Sequence, residues 1–225
     1  MIVVLICADI EWKILLQYYP SAVLFTSLLG EWFESEISHR RVVFFHGGWG
    51  KIHSASSTQY CIDQWHPSLV INLGTCGGIQ GRSNVGELIM ADRTVVYDIY
   101  ERMGDPQEAI QFYTSDMDRY GLELNQFPQL RYATIVSADR DLAASELEEL
   151  VQLYDAVAGD WESGSIAFVT RRNKIPCIII RGVSDVVGET GSAAYQNILY
   201  FEKYTEQIMK DLLVLLPQVI KNITI

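Results

Sequence analysis

Acidic side chains that follow apolar segments are the groups in this sequence best suited to chemistry. Asp160 and Glu162 flank Trp161 ahead of a small, apolar helical pattern, and Asp185 closely follows the isoleucine-rich run at residues 177–180. Carboxyl groups in such positions can transfer protons or stabilise positive charge that develops during a reaction. Because ligands of open α/β sheets bind beyond the carboxyl ends of the strands, we expect Glu162 and Asp185 to belong to an active site. A helix-cap acid is the alternative for Glu162.

Two segments nearer the N-terminus also place polar groups after predicted strands. Residues 2–7 (IVVLIC) lead to Glu11, and the run SLVINLG leads into the motif GTCGG, which contains Thr75 and Gly77. Glycines allow positive φ and close approach of a ligand to the backbone, and the Thr75 hydroxyl adds a hydrogen-bonding group. The motif therefore predicts a loop that cradles an anion or a sugar hydroxyl, with a plain tight turn as the alternative. A solvated carboxylate at a helix start is the alternative for Glu11.

Apolar runs alternate with helical patterns along the chain and determine where these groups lie. Strands are predicted at residues 2–7, 21–30, 40–45, 68–74, 85–99, 132–137 and from Pro176 onward. Helices are predicted at WKILLQYY, after Gly50, at residues 143–153, at SGSIAFVTRR and at residues 192–216. This βαβ rhythm indicates a mixed or mostly parallel sheet. No linker or repeat interrupts residues 1–225, so we expect one domain.

Four further features of the sequence each give a separate structural expectation. Residues 31–39 are polar and are predicted to form an exposed hairpin connection. Residues 100–130 lack a clear period and are candidates for a mobile segment or a cover over the site. The strand from Pro176 is expected to break at Arg181, and Pro217 is expected to end the last helix.

Composition and charge narrow the classes of function open to this chain. Of its 225 residues 49% are hydrophobic, and the formal net charge is −11. These values exclude a disordered chain and argue against nucleic acid or an anionic membrane surface as a partner, because both require clustered basic residues. The four cysteines show no CxxC pair and no metal-like spacing with histidine, so we expect reduced thiols and no metal. No apolar run reaches the ~18 residues of a membrane span, and no signal peptide is recognisable, which favours the cytoplasm.

Several motifs together resemble one family. GTCGG after an apolar strand, VGELIMADRTVVYD, a D-x-E acid pair and IPCIIIRGVSD are similar to the purine nucleoside phosphorylase/uridine phosphorylase superfamily, and most of all to its 5′-methylthioadenosine/S-adenosylhomocysteine nucleosidases. The likeness runs in order over nearly the whole chain. It implies a three-layer α/β/α sandwich around a mixed, partly barrel-like central sheet, usually in a homodimer. It also implies cleavage of the N-glycosidic bond of a purine nucleoside, for which we expect no cofactor.

The resemblance assigns a role to each of three acids. Glu11, in C-A-D-I-E, falls on the carboxylate that activates water, Glu162 on the acid that holds the ribose hydroxyls, and Asp185 on the aspartate that gives a proton to purine N7. These roles suit the chemistry, because the departing base needs an acid, the ribose gains positive charge and the attacking water needs a base. The residues implied in substrate binding are Thr75, Gly77, Trp161, Arg181, Ser184 and Tyr195, the last placed early in the final helix.

The nucleophile can be predicted from charge. Phosphorylases of this fold resemble one another in G-x-P-x-R near the N-terminus and in an arginine just before the G-[ST]-x-G motif. In this chain the N-terminal segment contains Glu11 and no arginine, and Asn72 occupies the second arginine position. Phosphate binding would need cationic side chains at both positions. Water is therefore the expected nucleophile. A phosphorylase and a non-catalytic nucleoside-binding protein remain the alternatives.

One segment departs from the nucleosidase pattern. Where the family resembles S-G-D-x-F, with a phenylalanine that stacks on the purine, this chain has SADRD at residues 137–141. The aromatic side chain is missing and charged residues take its place. The identity of the base and of the 5′-substituent is therefore left open by the sequence.

Overall fold

A mixed ten-stranded sheet carries the helices of this protein. The structure, a computed structural model, describes residues 1–225 apart from the side chain of residue 124. The strands are β1 (Ile2–Ile6), β2 (Phe25–Ser27), β3 (Gly30–Ile37), β4 (Arg40–His46), β5 (Leu69–Ile79), β6 (Leu88–Val96), β7 (Ser115–Asp116), β8 (Leu130–Ser137), β9 (Ala156–Asp160) and β10 (Cys177–Val187). The α-helices are α1 (Asp9–Tyr18), α2 (Gly50–Trp65), α3 (Pro106–Tyr113), α4 (Leu147–Tyr154), α5 (Ser163–Asn173) and α6 (Ile198–Asn222).

Five of the strands close into a barrel. The order β10-β6-β8-β9-β5 is completed by parallel pairing of β5 with β10, and β1, β4, β3 and β2 extend the sheet outward from β5. Helices α1 and α6 pack together on one side, while α2 and α5 pack together on the other. The expected three-layer α/β/α arrangement around a mixed, partly barrel-like sheet is confirmed.

Strand β1 explains why the N-terminal run is apolar without interruption. It lies between β4 and β5 and pairs with both in parallel. Ile2, Val4 and Ile6 join the core beneath α1 and α6, whereas Val3 and Leu5 join the core on the other face. Since both faces are covered, every position of the strand is buried, as is usual for parallel sheets.

Strands β5 and β10 are longer than the sequence predicts. Both the GTCGG motif and the Arg181–Asp185 segment were expected to be loops, and both expectations are wrong. Arg181, Gly182 and Val183 pair with Gly74, Thr75 and Cys76, so each strand continues through its polar residues. A register shift between Val183 and Asp185 interrupts the ladder at Ser184. Barrel closure is the physical reason, because it supplies a partner strand where an open sheet would have ended.

Three other expectations also fail. Residues 31–39 are mostly strand β3, which pairs with β4 and buries Phe33 and Ile37. Pro217 lies inside α6, because buried apolar side chains such as Val219 pack into the core beyond the proline and hold the next turn. Tyr195 precedes α6 instead of lying within it. None of the described α-helices combines the length and the apolar character needed to cross a bilayer.

Candidate active site

One large cavity opens at the end of the barrel where β5, β9 and β10 present their polar residues. Its volume is about 590 Å³, within the usual range for small-molecule sites. The structure brings all nine residues predicted for catalysis or substrate binding to its lining, namely Glu11, Thr75, Gly77, Trp161, Glu162, Arg181, Ser184, Asp185 and Tyr195. Among the described lining residues, none comes from residues 100–130, so that segment does not cover the cavity in this structure.

Glu11 is held at the start of α1 by donors from two elements. One carboxylate oxygen accepts hydrogen bonds from the backbone N–H of Thr75 at 2.6 Å and from its hydroxyl at 2.8 Å. The other accepts the N–H of Ala8, which is free at the helix N-terminus. The side chain is only 1% exposed, and burial raises the pKa of Glu11 despite the opposing influence of Arg181 and Thr75. A carboxyl with a raised pKa and a fixed orientation is suited to accept a proton.

Glu162 lies at the start of α5 and faces the N-terminus of α2. Its carboxylate accepts the Gly50 N–H at 3.1 Å and approaches the Arg181 guanidinium at 3.4 Å. Burial raises the pKa of Glu162 to about 7, with the carboxylate of Asp160 adding to the effect and Arg181 opposing it. The side chain thus changes its charge near neutral pH.

Arg181 is occupied by protein partners. Its Nε donates to the Ser163 hydroxyl at 3.1 Å and forms an ion pair with Asp160 at 2.8 Å, and Nη1 donates to the Thr75 carbonyl at 3.3 Å. Burial acts to lower the pKa of Arg181, but the surrounding carboxylates, Asp160 foremost, outweigh it and keep the guanidinium charged. With these bonds, and with Glu162 also beside it, Arg181 is arranged to hold carboxylates in place.

Asp160 is the buried acid to which the sequence motifs assign no role. Ser137 donates its hydroxyl to the carboxylate at 2.7 Å, and Ser163 donates both its N–H, at 3.1 Å, and its hydroxyl. Together with Arg181 these donors fix the turn from β9 into α5, on which Trp161 and Glu162 lie. The signal for the positioning role of Asp160 was its place two residues before Glu162 in the D-x-E pair.

Glycine at position 74 lets Glu11 and Arg181 approach the strand closely. A Cβ there would lie 2.4 Å from Arg181 Nη1 and 2.8 Å from a Glu11 carboxylate oxygen. The φ angles of Gly74 and Gly77 are not positive in this structure, so these glycines do not use the left-handed backbone region that they would allow. Gly74 is required for space. At Gly77 a Cβ would make only ordinary contacts, the nearest at 3.7 Å.

Asp185 carries hydroxyl donors on both carboxylate oxygens. Ser184, at the register shift, donates to one oxygen at 2.7 Å and Ser192 donates to the other. Ser192 belongs to the segment between β10 and α6, which is tied back by backbone hydrogen bonds between Gly188 and Gly191. Asp185 therefore lies at the cavity wall, and the hydroxyl groups of Ser184 and Ser192 fix the orientation of its carboxylate.

Apolar and aromatic side chains complete the cavity. Trp161 lies beside Glu162, and the Tyr195 hydroxyl donates to the Leu142 carbonyl at 2.5 Å. Other apolar residues that line the cavity are Ile10, Trp49, Leu142, Val187, Ile198 and Phe201. Tyr97 and Arg140 also line it. Tyr97 was not predicted as a site residue, and the departure from the family pattern at residues 137–141 was the signal for Arg140. Among the described side chains there is no cluster of three or more His, Cys, Asp or Glu residues that could bind a metal ion.

Comparison with known proteins places this architecture in a family. A family model described as the phosphorylase superfamily matches residues 11–216. The 5′-methylthioadenosine/S-adenosylhomocysteine nucleosidase of Tolumonas auensis is 25% identical over 205 residues, which cover 86% of each chain.

Two solved structures share the fold at low sequence identity. The nucleosidase of the same name from Campylobacter jejuni superposes with a TM-score of 0.80 at 18% identity and covers 98% of both chains. The Helicobacter pylori nucleosidase, solved with butyl-thio-DADMe-Immucillin-A, gives a TM-score of 0.80 at 20% identity and covers 96% of this chain and 97% of its own. Since the family model spans most of the sequence and the closed barrel agrees with these structures, the chain belongs to the phosphorylase superfamily.

Proposed function

We propose that this protein is an N-ribosyl hydrolase that cleaves the N-glycosidic bond of a purine nucleoside, such as 5′-methylthioadenosine, S-adenosylhomocysteine or a related compound, and releases the free base. The observation that carries the proposal is that Glu11, Glu162 and Asp185, remote in sequence, line one cavity of nucleoside size. The activity for which the Tolumonas auensis relative is named, that of a 5′-methylthioadenosine/S-adenosylhomocysteine nucleosidase, supports the same reaction.

Each acid has a separate task in this proposal. Asp185 supplies a proton to N7 of the departing purine, because an unprotonated base is a poor leaving group. Glu162 holds the ribose hydroxyls and stabilises the positive charge that develops on the sugar. Glu11 accepts a proton from the attacking water, and its fixed hydrogen bonds to Thr75 support that task. Arg181 acts through Asp160 and Glu162 as a positioning residue.

The charges around the cavity favour water over phosphate. A phosphate ion needs arginine or lysine side chains that are free to bind it. Among the described cations that line the cavity, Arg181 is engaged by Asp160 and Glu162, Arg140 is paired with Glu146 at 2.7 Å, and Lys13 is exposed to solvent on α1. Phosphate entering near Glu11 would meet negative charge. Phosphorolysis is therefore the less favoured alternative.

Product analysis tests the proposal directly. The protein, produced in a host that lacks its own nucleosidase, is incubated with 5′-methylthioadenosine with and without inorganic phosphate, and the products are separated by chromatography. We expect adenine and the free 5-methylthioribose in both samples. Release that requires phosphate and gives the sugar 1-phosphate would identify a phosphorylase. A ligand that raises the melting temperature without any product would identify a binding protein.

We further propose that the protein acts in the cytoplasm and that its single-domain subunits form a homodimer, the state that the family resemblance implies. Light scattering of the purified protein measures the mass of the particle, for which we expect twice that of the 25.5 kDa chain. A monomer at the concentrations used in the activity assay would overturn the dimer.

A further inference from the structure

The first turns of α1 place charges of both signs on the cavity wall, and the proposed reaction has no use for them. Asp9 and Lys13 line the cavity from this helix, and both are exposed to solvent. Ile10, also on α1, and Trp49, which precedes α2, line the cavity as well. This part of the wall, the α1 end, therefore combines apolar surface with one acidic and one basic side chain.

Asp9 keeps its negative charge available to a ligand at neutral pH. Its only ion-pair partner among the described side chains is His46, whose Nε2 lies 3.3 Å from a carboxylate oxygen of Asp9 without the alignment of a hydrogen bond. Burial lowers the pKa of His46, although Asp9 and Glu31 act to raise it. The imidazole is therefore mostly uncharged at neutral pH and does not neutralise Asp9. Since the Asp9 side chain is 62% exposed, a cation that enters the cavity can pair with it.

Lys13 supplies the complementary charge on the same face of α1. It lies one turn after Asp9, and side chains at this spacing are neighbours on a helix surface, with Cβ atoms about 5–6 Å apart. The ammonium and carboxylate groups of an α-amino acid are attached to one carbon atom. A single amino acid group can therefore reach the Asp9 carboxylate and the Lys13 ammonium at the same time.

The order of the strands separates the α1 end from Asp185. Strand β10, which carries Asp185, pairs with β5, and β5 pairs on its other edge with β1, which leads into α1. Neighbouring strands lie about 4.8 Å apart, so the start of α1 and Asp185 are separated by roughly 10 Å. Thr75 of β5, which binds Glu11, lies between them. A ligand with its base at Asp185 and its sugar at Glu11 would direct its remaining substituent toward the α1 end.

We propose that Asp9 and Lys13 are specificity-determining residues that bind the ammonium and carboxylate groups of an amino acid at the 5′-position of the nucleoside, so that S-adenosylhomocysteine is preferred over nucleosides with an uncharged 5′-thioether. This inference deepens the proposed function and rests on it, because it takes Asp185 to face N7 and the three acids to surround the ribose.

The two kinds of substituent would meet the α1 end differently. The methylene groups of the homocysteine chain can pack on Ile10 and Trp49, and its charged end can pair with Asp9 and Lys13. An uncharged thioether makes only the apolar contacts. Each ion pair at an exposed site is worth up to about 1 kcal/mol, or about 5-fold in affinity. Because these charges lie far from the bond that breaks, they bind substrate and transition state equally and should act on KM.

Four substrates that differ only in charge test the inference. They are S-adenosylhomocysteine and the adenosine 5′-thioethers that carry a 3-aminopropyl, a 3-carboxypropyl or a propyl group, which lack the carboxylate, the ammonium or both. We expect kcat/KM for S-adenosylhomocysteine to exceed that for the propyl compound by about 5- to 20-fold, with kcat values within about 2-fold. The preference should narrow as the salt concentration rises. Equal or greater kcat/KM for the propyl compound would overturn the inference.

Two variants assign each charge to its partner. Asp9→Asn should lower kcat/KM by about 3- to 5-fold for the two substrates with an ammonium group, and Lys13→Met should do so for the two with a carboxylate. Neither should change the propyl compound by more than about 2-fold. Glu36→Gln is the matched control, because Glu36 is also an exposed acid beside a histidine, 3.7 Å from His39, but does not line the cavity. A loss of preference in Glu202→Gln, on α6, with none in Asp9→Asn would overturn the assignment.

A binding measurement separates failure of this inference from failure of the proposed function. In the 9-deaza analogues of S-adenosylhomocysteine and of the propyl compound, a carbon–carbon bond replaces the N-glycosidic bond, so calorimetry measures Kd without turnover. If none of the four nucleosides is cleaved, the proposed function fails, yet tighter binding of the charged analogue that is lost in Asp9→Asn still upholds the inference. Equal or tighter binding of the propyl analogue overturns it, whether or not the protein is a hydrolase.

Discussion

Ionisation of the buried Glu162 should make the fold less stable as pH rises. Burial raises the pKa of this carboxyl from 4.5 to about 7. Well below pH 4.5 the group is protonated in both the folded and the unfolded chain and contributes nothing. Between pH 4.5 and about 7 the unfolded chain releases the proton first, so the free energy of unfolding decreases. One pKa unit corresponds to about 1.4 kcal/mol, which gives a cost of roughly 3 kcal/mol once the folded protein has ionised.

Glu162→Gln keeps the shape of the side chain and removes this cost. We expect the variant to exceed the wild type in free energy of unfolding by roughly 3 kcal/mol at about pH 8 and by less than about 1 kcal/mol at about pH 5. Urea denaturation followed by tryptophan fluorescence measures both values. Glu206→Gln, at an exposed site paired with Lys210, is the control and should change stability by less than about 0.5 kcal/mol. A variant less stable than the wild type at the higher pH, or a difference independent of pH, would refute the reasoning.

Two further substitutions test the proposed proton donor Asp185 and the close packing at Gly74. Asp185→Asn should lower kcat by about 10²- to 10⁴-fold with an unchanged melting temperature, since it removes the proposed proton donor, and full activity in a chromatographic assay would exclude Asp185 from the mechanism. Gly74→Ala should reduce both activity and stability, the latter by about 1–3 kcal/mol, because its Cβ would lie 2.4 Å from Arg181 and 2.8 Å from Glu11. Gly104→Ala, where a Cβ meets nothing within 4 Å, is the control for that substitution, and equal melting temperatures of the two variants would contradict the packing argument.

The elements that the sequence predicts well are those with a strong local pattern. Strand β1 is a continuous apolar run, and α2 begins after a glycine-rich turn and ends before Pro67, so both were predicted close to their observed bounds. Local pattern fails where long-range pairing decides. The polar ends of β5 and β10 have the composition of loops, yet they are strands because each supplies the other with hydrogen-bond partners across the closed barrel.

The residues of the cavity were predictable for a different reason. Motifs such as G-[ST]-x-G-G and S-D carry family information, which pointed to Thr75, Asp185 and the rest of the nine lining residues. The contacts that these side chains make with one another were not predictable from the sequence. Arg181 was expected to bind substrate, but its guanidinium is taken up by Asp160, Glu162 and Ser163, contacts between segments that sequence spacing alone cannot relate. Tyr97 lies within a motif that resembles the family and was not assigned to the site, whereas Arg140 lies in the segment that departs from the family pattern.

The balance of charge at the base of the cavity links stability to chemistry. Glu11, Asp160 and Glu162 are buried around Arg181, so among the described side chains three carboxyl groups share a single guanidinium. Burial raises the pKa of Glu162, the neighbouring carboxylates of Asp160 and Glu11 add to the effect, and ionisation of Glu162 is therefore costly for the folded protein. A ribose that gains positive charge during bond cleavage supplies the missing cation, so the cost of ionisation is relieved when the transition state forms. A phosphate ion would add to the imbalance, and this is the physical reason that the same arrangement favours hydrolysis.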